Sequence, residues 1–273
     1  MLTPRRLSDT DLAALDEFER RVVAVDGGRL KLEKAALRGG RAQGLLSYDG
    51  ERLVGFVGIY AFGGEPELVG AVDPSFRRRG LGNALLDSAL RCAPEGRVLL
   101  VVPSGSTGGE VVARSRGGTY HHAEHALVLT VPPEGSHDRR TAVRPATPDD
   151  AASVMRILHA AFRYTPGGQV APDTLVVEHD GVVVGTLRLT TDGDTAGIYG
   201  FAVDPTRQGE GIGRDVLRRV CRDALAGAAN RVALEVAVDN PHALRLYTST
   251  GFVPVTGEDY WSLLHAVSGV APE

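Results

Sequence analysis

Two glycine-rich turns carry the first chemistry that this sequence offers. The run Phe201-Ala202-Val203-Asp204-Pro205-Thr206-Arg207-Gln208-Gly209-Glu210-Gly211-Ile212-Gly213-Arg214 leads from an apolar strand, through a turn, into a helix. Such a turn bares backbone N–H groups at a helix N-terminus, where unpaired donors and the helix dipole together attract a phosphate. The stretch from Val72 to Gly82 repeats it. Val72, Asp73, Pro74, Gly80 and Gly82 map onto Val203, Asp204, Pro205, Gly211 and Gly213 at one constant offset. A dinucleotide fingerprint does not fit, because G-x-G-x-x-G counted from Gly209 needs glycine where Arg214 stands. A Walker loop fails as well, since no Lys-Ser/Thr follows the turn.

The second chemical feature is the segment from Leu234 to Phe252. In the strand before the helix, Val232, Leu234, Val236 and Val238 share one face, while Ala233, Glu235 and Ala237 share the other. A carboxylate among small residues suits a base that faces a cleft and takes a proton from an ammonium group. A strand carboxylate satisfied by a neighbouring arginine is the plainer alternative, and Tyr199 on the adjacent strand is a reserve candidate with a packing role beside it. Asp239 or Asn240 can cap a helix begun by Pro241, and Tyr247 follows Asn240 by two helical turns. Gly251 supplies the left-handed stop.

The elements that must hold these residues are legible around them. Ser8-Asp9-Thr10-Asp11 and Thr147-Pro148-Asp149-Asp150 each open an amphipathic helix. Strands are expected over 53–59, 68–72, 98–102, 174–178, 182–189, 198–203 and 232–238, with helices over 83–92 and 214–225. Asp180-Gly181 is a hairpin signal. Each half closes in a β-rich tail, 126–131 and 260–266, and Pro132 to Arg140 has the composition of an exposed linker. Two similar α/β domains of mixed sheet are the consistent reading.

The totals narrow the function. A net charge of −4 over 273 residues, with 43% apolar residues, suits two packed domains and gives no footprint for nucleic acid or a membrane surface. No apolar run approaches the length of a membrane span, and the polar start lacks the apolar core of a signal peptide. Cys92 and Cys221 are too few for a disulfide framework; both are expected to be inert packing, and a cytoplasmic setting fits. His121-His122-x-x-His125 lacks a helical metal-site context, so no metal is expected. His242 is expected on the surface.

Gln208-x-x-Gly211-x-Gly213, its twin Arg77-x-x-Gly80-x-Gly82, and the Leu234-to-Phe252 segment together resemble the GNAT N-acetyltransferase superfamily. The resemblance covers most of 142–265. It implies a tandem two-domain protein of α/β (α+β mixed sheet) class, with a degenerate N-terminal GNAT-like domain at 1–132, a linker at 133–141 and a catalytic domain at 142–273. The implied co-substrate is acetyl-CoA. Its phosphates and pantetheine arm would meet Gln208, Gly209, Glu210, Gly211, Ile212, Gly213, Arg214 and Asn240, with strand N–H groups of Phe201, Ala202 and Val203 at the thioester carbonyl. Tyr247 would be the acid that protonates the departing thiolate. The Leu-Glu-Val triplet with tyrosine twelve residues on resembles the ribosomal-protein N-terminal acetyltransferase branch, where that glutamate is the base. A primary amine, of a small molecule or a peptide N-terminus, would attack directly, with no covalent enzyme intermediate.

The first half departs from the pattern. After its strand at 98–102 comes Pro103-Ser-Gly-Ser-Thr-Gly-Gly-Glu110, with neither the Asn-Pro pair nor a tyrosine where Tyr247 would correspond. The cradle at Arg77, Arg78, Arg79, Gly80, Leu81 and Gly82 is read as either coenzyme-binding or purely structural. A non-catalytic acyl-CoA-binding protein and a mycothiol-synthase-like acetyltransferase are the rival readings. Residues 163–173 are too few for the family's usual second helix, which suggests an acceptor side left for the N-terminal domain or a second subunit of a homodimer to cover.

Overall fold

The computed structural model describes residues 2–61, 64–135, 138–162 and 170–265. In chain order the elements are α1 (Asp9–Asp26), α2 (Lys34–Gly39), β1 (Ala42–Asp49), β2 (Arg52–Tyr60), β3 (Glu67–Val72), α3 (Leu81–Cys92), β4 (Gly96–Pro103), α4 (Thr107–Ser115) and β5 (Thr119–Leu129). They continue with β6 (Thr141–Pro145), α5 (Ala151–Phe162), β7 (Thr174–His179), β8 (Val182–Asp192), β9 (Thr195–Val203), α6 (Ile212–Ala226), β10 (Arg231–Ala237), α7 (Pro241–Ser249) and β11 (Val253–His265).

The helices begin where the sequence caps them. Ser8 Oγ accepts from the Asp11 N–H while the Asp11 carboxylate accepts from the Ser8 N–H, closing a capping box at α1. Thr147 and Asp150 form the same box ahead of α5, across a short 3₁₀ turn, Pro148–Asp150. α3 and α6 start two residues earlier than periodicity predicts. Gly80 and Gly211, at φ 84° and 83°, turn the chain directly into the helix. Asp180-Gly181 has positive φ at both positions (51° and 78°), as a two-residue hairpin of the expected kind requires. α2, β1 and β6 escape the sequence reading: α2 is a six-residue helix, and β6 starts at the end of the expected linker.

Two compact units result. The first holds the described residues up to Glu124 and those from Thr256 on; the second holds His125–Val255. This differs from the expected division at 132–142, because neither half keeps its own tail whole. β5 passes into the second unit after Glu124, and β11 passes into the first from Thr256. The physical reason is strand pairing: β11 pairs antiparallel with β4 from Glu258↔Pro103 to His265↔Gly96, and the end of β5 lies beside β10. In the first unit the strand order is β1-β2-β3-β4-β11-β5, and in the second it is β6-β7-β8-β9-β10-β5. The expected linker is also anchored. Pro133 is buried, Arg222 Nη1 donates to the Gly135 carbonyl (2.6 Å), and the Asp138 N–H donates to Asp215 (2.9 Å).

Both units have a helix layer built on the strands. In the second, Leu187, Ile198, Val232, Leu234 and Val236 pack with Val216, Leu217 and Val220 of α6. In the first, Phe18 and Leu15 of α1 cover one sheet face with Phe56, Val69 and Val101, while Leu85 and Leu86 of α3 cover the other with Val57, Leu68 and Val98.

Candidate active site

β9 ends at Val203, and Asp204 fixes the turn after it. Its carboxylate accepts from the Thr206 N–H (3.0 Å) and Oγ1 (2.7 Å) and is ion-paired with Arg156 of α5. The Asp204 N–H donates to the Val184 carbonyl at 2.7 Å. Hydrogen bonds from Arg156 and then Thr206 lower its pKa to about 2. Gln208 Nε2 donates back to the Val203 carbonyl at 3.1 Å, closing the loop. Gly209 and Gly211 sit at φ 87° and 83°, the left-handed region where a side chain is strained, and a Cβ on either would meet nothing within 4 Å. These glycines are therefore needed for backbone conformation rather than for room. No side chain caps the N-terminus of α6, so its first N–H groups are disposed to accept an anion. Arg207 and Glu210 pair with each other across the turn at 2.7 Å.

Beside this cradle the sheet opens in two ways. β9 pairs with β8 as Thr186↔Ala202 and then Arg188↔Tyr199, so Gly200 and Phe201 oppose a single residue in a β-bulge. Gly200 takes φ 56° there. Sequence reasoning did not single it out, although a glycine inside a strand is the usual signal of a bulge. On the other side, β9 and β10 pair in parallel only from Thr195↔Arg231 to Gly197↔Ala233, although both strands run further. Backbone N–H groups of β9 beyond Gly197 that point toward β10 thus lack a ladder partner there. Phe201, Ala202 and Val203 lie in that stretch.

β10 keeps the predicted alternation. Val232, Leu234 and Val236 are buried, while Ala233, Glu235 and Ala237 are half-buried on the opposite face. Tyr247 belongs to the cluster on the Leu234 and Val236 side, edge-on to Phe252 with ring centroids 6.0 Å apart. Burial pushes its phenol pKa up to about 12. Glu235 therefore lies just past the end of the β9–β10 ladder, on the face of β10 opposite Leu234 and Val236, and Tyr247 lies in the core cluster that holds those two residues. Asn240 caps α7 through Oδ1, which accepts from the Ala243 N–H (3.0 Å). Gly251 ends α7 at φ 106°. At Gly213 the parts converge: an added Cβ would lie 3.5 Å from Leu246 of α7, 3.7 Å from Val203 and 3.8 Å from Phe201. Tyr199 is stacked over Gly197, whose Cβ would come within 2.6 Å of its ring, and lies beneath the Arg188 guanidinium (5.7 Å to the centroid). Arg188 is in turn held by Asp173 at 2.9 Å.

The twin turn of the first unit has the same frame and different furniture. Asp73 accepts from the Ser75 N–H (3.0 Å), Arg21 (2.9 Å) and Arg52 (2.9 Å). Arg77 Nε takes the part of Gln208, donating to the Val72 carbonyl at 3.0 Å, and its two Nη atoms are spent on Asp26 at 2.7 and 2.6 Å. Arg78 occupies the position of Gly209 at φ 61°. Arg79 donates to the Ser75 carbonyl (3.0 Å) and lies over the Phe76 ring. Gly80, Leu81 and Gly82 start α3 as Gly211, Ile212 and Gly213 start α6. Here β3 has no bulge; it pairs residue for residue with β2 from Gly55↔Val72 to Tyr60↔Glu67. Counted from the caps Ser106 and Asn240, Glu235 corresponds to Val101 and Tyr247 to Ala113, both buried, and Trp261 packs with Ala113 and Val102.

Cys221 lies in the core, where burial raises its thiol pKa to about 12, but Cys92 is exposed and does not pack as expected. Among the described residues no group of His, Cys, Asp or Glu is arranged to hold a metal, and His242 is exposed. Of the segment 163–173, residues 163–169 lie outside the described residues.

Known proteins resemble this chain along most of its length. The model of the acetyltransferase (GNAT) family matches residues 142–252, and that of the acetyltransferase (GNAT) domain matches 41–121. A mycothiol acetyltransferase of Kytococcus sedentarius is 31% identical, with 92% of this chain and 93% of that protein aligned. The chain belongs to the GNAT acetyltransferase family. This GNAT protein is also 31% identical to a mycothiol acetyltransferase of Kineococcus radiotolerans, over 83% of this chain and 84% of that one. Its fold is shared with a GCN5-related N-acetyltransferase from Sphaerobacter thermophilus (TM-score 0.71, 17% identity, 96% and 95% coverage). A tandem GNAT protein from the clavulanic acid biosynthesis pathway shares it too (TM-score 0.67, 16% identity, 98% and 99% coverage). The tandem two-domain reading is thereby established, as is the acetyltransferase class.

Proposed function

We propose that this acetyltransferase moves the acetyl group of acetyl-CoA to a primary amine by direct attack, and that only its second unit catalyses. The observation that supports the reading is a cradle with glycine at both left-handed positions, followed by a strand that carries half-buried Glu235 beyond the end of its ladder and a helix that carries buried Tyr247. Bound acetyl-CoA supplies an activated thioester. The uncapped start of α6 and the loop from Gln208 to Arg214 hold its phosphates, and Asn240, at the start of α7, lies along its arm. N–H groups of the bulged strand near Phe201 to Val203 meet the thioester carbonyl and stabilise charge as it develops there. Glu235 accepts the proton that the ammonium must lose before its nitrogen lone pair forms the new C–N bond. As the C–S bond breaks, Tyr247 gives its proton to the sulfur; a phenol kept neutral up to about pH 12 is in the right form at every physiological pH.

The acceptor is a small-molecule amine. The relatives favour a mycothiol precursor as that amine, since two proteins named mycothiol acetyltransferase align along most of the chain at 31% identity. Purified protein should release free thiol from acetyl-CoA only when an acceptor amine is present, and a panel containing mycothiol precursors, simple amines and peptides with free N-termini ranks the acceptors. Turnover confined to peptides would overturn the small-molecule reading. Binding of acetyl-CoA with no turnover on any amine would instead favour a non-catalytic acyl-CoA-binding protein.

A further inference from the structure

The chain has only two lysines among its 30 basic residues, and one of them is buried. Lys31 follows Gly27 and Gly28, both at positive φ, in the irregular stretch between α1 and α2. Its ammonium donates to Tyr260 Oη and to Glu67 Oε2 (3.1 Å), and lies 3.8 Å from Glu124 Oε2. Tyr260 Oη passes the interaction on, donating to Glu124 at 2.7 Å. His122 stacks on the Tyr260 ring at 4.1 Å and stands 3.7 Å from Glu124. Two residues along, Arg29 pairs with buried Glu258 at 2.9 Å. Burial pushes the Glu124 pKa up, but the His122 hydrogen bond, the Lys31 charge and the Tyr260 hydrogen bond together bring it below the usual carboxylate range.

Every one of these groups belongs to the first unit, and their place in it is informative. By strand register, Glu67, Val69, Leu99, Val101 and Tyr260 share a sheet face, and Val101 holds the position of Glu235 on that face. The first unit therefore has, on the face where the second unit offers its half-buried base, a polyvalent receptor for a primary ammonium: two carboxylates and a tyrosine oxygen. Lys31 Nζ stands in that receptor as the amine of a ligand would. The geometry is specific to a compact ammonium, because the planar fork of a guanidinium presents its donors in one plane and is broader. In a chain that uses arginine almost everywhere else, the lysine here fits that demand.

We propose that the first unit contains a primary-ammonium binding site that its own Lys31 fills in cis, so that this unit takes no free amine. The site is a distinct feature from the transfer chemistry of the second unit and does not depend on it. Lys31→Ala removes Cγ, Cδ, Cε and Nζ, the atoms of one n-propylammonium ion, and leaves a matching vacancy. In thermal unfolding of the full chain, this variant should melt on the order of 5 °C below the wild type, since it leaves the half-buried carboxylates of Glu67 and Glu124 without their ammonium. Adding n-propylammonium chloride should restore much of the loss in a saturable manner. Guanidinium at sub-denaturing concentration, tetramethylammonium and sodium at equal ionic strength should not, and the wild type should show no such gain. Recovery by n-propanol equal to that by n-propylammonium would overturn the proposal, because the vacancy would then be merely apolar. Should Lys31→Ala not fold, Lys31→Met keeps the stem without the charge. It is expected to melt below the wild type, and the difference should shrink when Glu124→Gln is combined with it. A Lys31→Met protein as stable as the wild type, alone and with Glu124→Gln, would sink the idea.

Discussion

The two units start from nearly the same turn and diverge at the residues around it. In the second, glycine takes both left-handed positions of the loop, β9 is bulged at Gly200 and Phe201, and the strand facing the gap carries a carboxylate between alanines. In the first, arginine accepts the strained position, β3 runs straight, and Leu99 and Val101 of β4, both buried, pair in register with Glu67 and Val69 of β3. The helix after that strand tells the same story. α7 presents Tyr247, whereas α4 presents Ala113 and has Gly109 so close to β4 that a Cβ would fall 2.4 Å from Val102. Retaining a turn is cheap, since it needs only glycine and an Asp-Pro start. The proposed reaction also needs a bulge, a base and an acid, and in those places the first unit has a straight β3, Val101 and Ala113.

The sharpest way to break this contrast is to remove the acid. Tyr247→Phe should lower kcat for acetyl transfer by roughly 10²–10⁴-fold with little change in coenzyme affinity, measured by thiol release over a pH series. Ala113→Tyr should give the first unit no activity and should destabilise it by about 1–3 kcal/mol in denaturant melts, because the added ring must displace Trp261 from a filled core. If Tyr247→Phe turned over like the wild type at every pH, the assigned acid would be wrong. Next in size, Glu235→Gln should cost roughly 10²-fold in kcat/KM for the amine, most visibly where the acceptor is protonated. Equal activity would return Glu235 to a structural role.

Gly209→Arg copies the first unit's loop into the second. It should cost about 1–2 kcal/mol of cradle conformation, seen as roughly a tenfold weaker Kd for acetyl-CoA in calorimetric titration. The wild type is expected to bind one coenzyme per chain, and two equal sites would show that the first cradle is loaded. Acid unfolding tests the shared part. The Asp204 carboxylate is held at about 2, below its ordinary 3.8, and Asp73 is shifted in the same direction. Groups lowered on folding contribute stability that is complete above the ordinary value and fades as pH falls toward the folded one. Asp204→Asn should therefore flatten the stability loss between about pH 4 and 2, and an unchanged profile would remove Asp204 from the account. The smallest effect belongs to Arg78→Gly, which relieves a left-handed arginine and should stabilise the first unit by about 0.5–1 kcal/mol without changing turnover.

Much of this was written locally. The capping boxes at Ser8 and Thr147, the Asp180-Gly181 hairpin and the alternation about Glu235 depend on neighbours a few residues away, and each stands where the pattern put it. Spacing alone told the glycine loops apart from dinucleotide and nucleotide-triphosphate turns, and the missing tyrosine of the first half was visible as a gap in the same spacing. What escaped were effects of long-range pairing. The bulge needs β8 beside β9 before Gly200 has meaning, and the short ladder between β9 and β10 appears only when both strands are in place. The stretch from Pro132 to Arg140 looked like a free linker until Arg222 and Asp215 of α6 claimed it.

By itself, then, the sequence determined the two repeated turns, the helix starts and the faces of the strands, because all of these follow from spacing along one chain. Only the tertiary structure decided which unit each tail completes, which guanidinium groups are already engaged, and that Lys31 sits among Glu67, Glu124 and Tyr260. Those outcomes join residues as far as 229 positions apart, and no periodicity reports a contact at that distance.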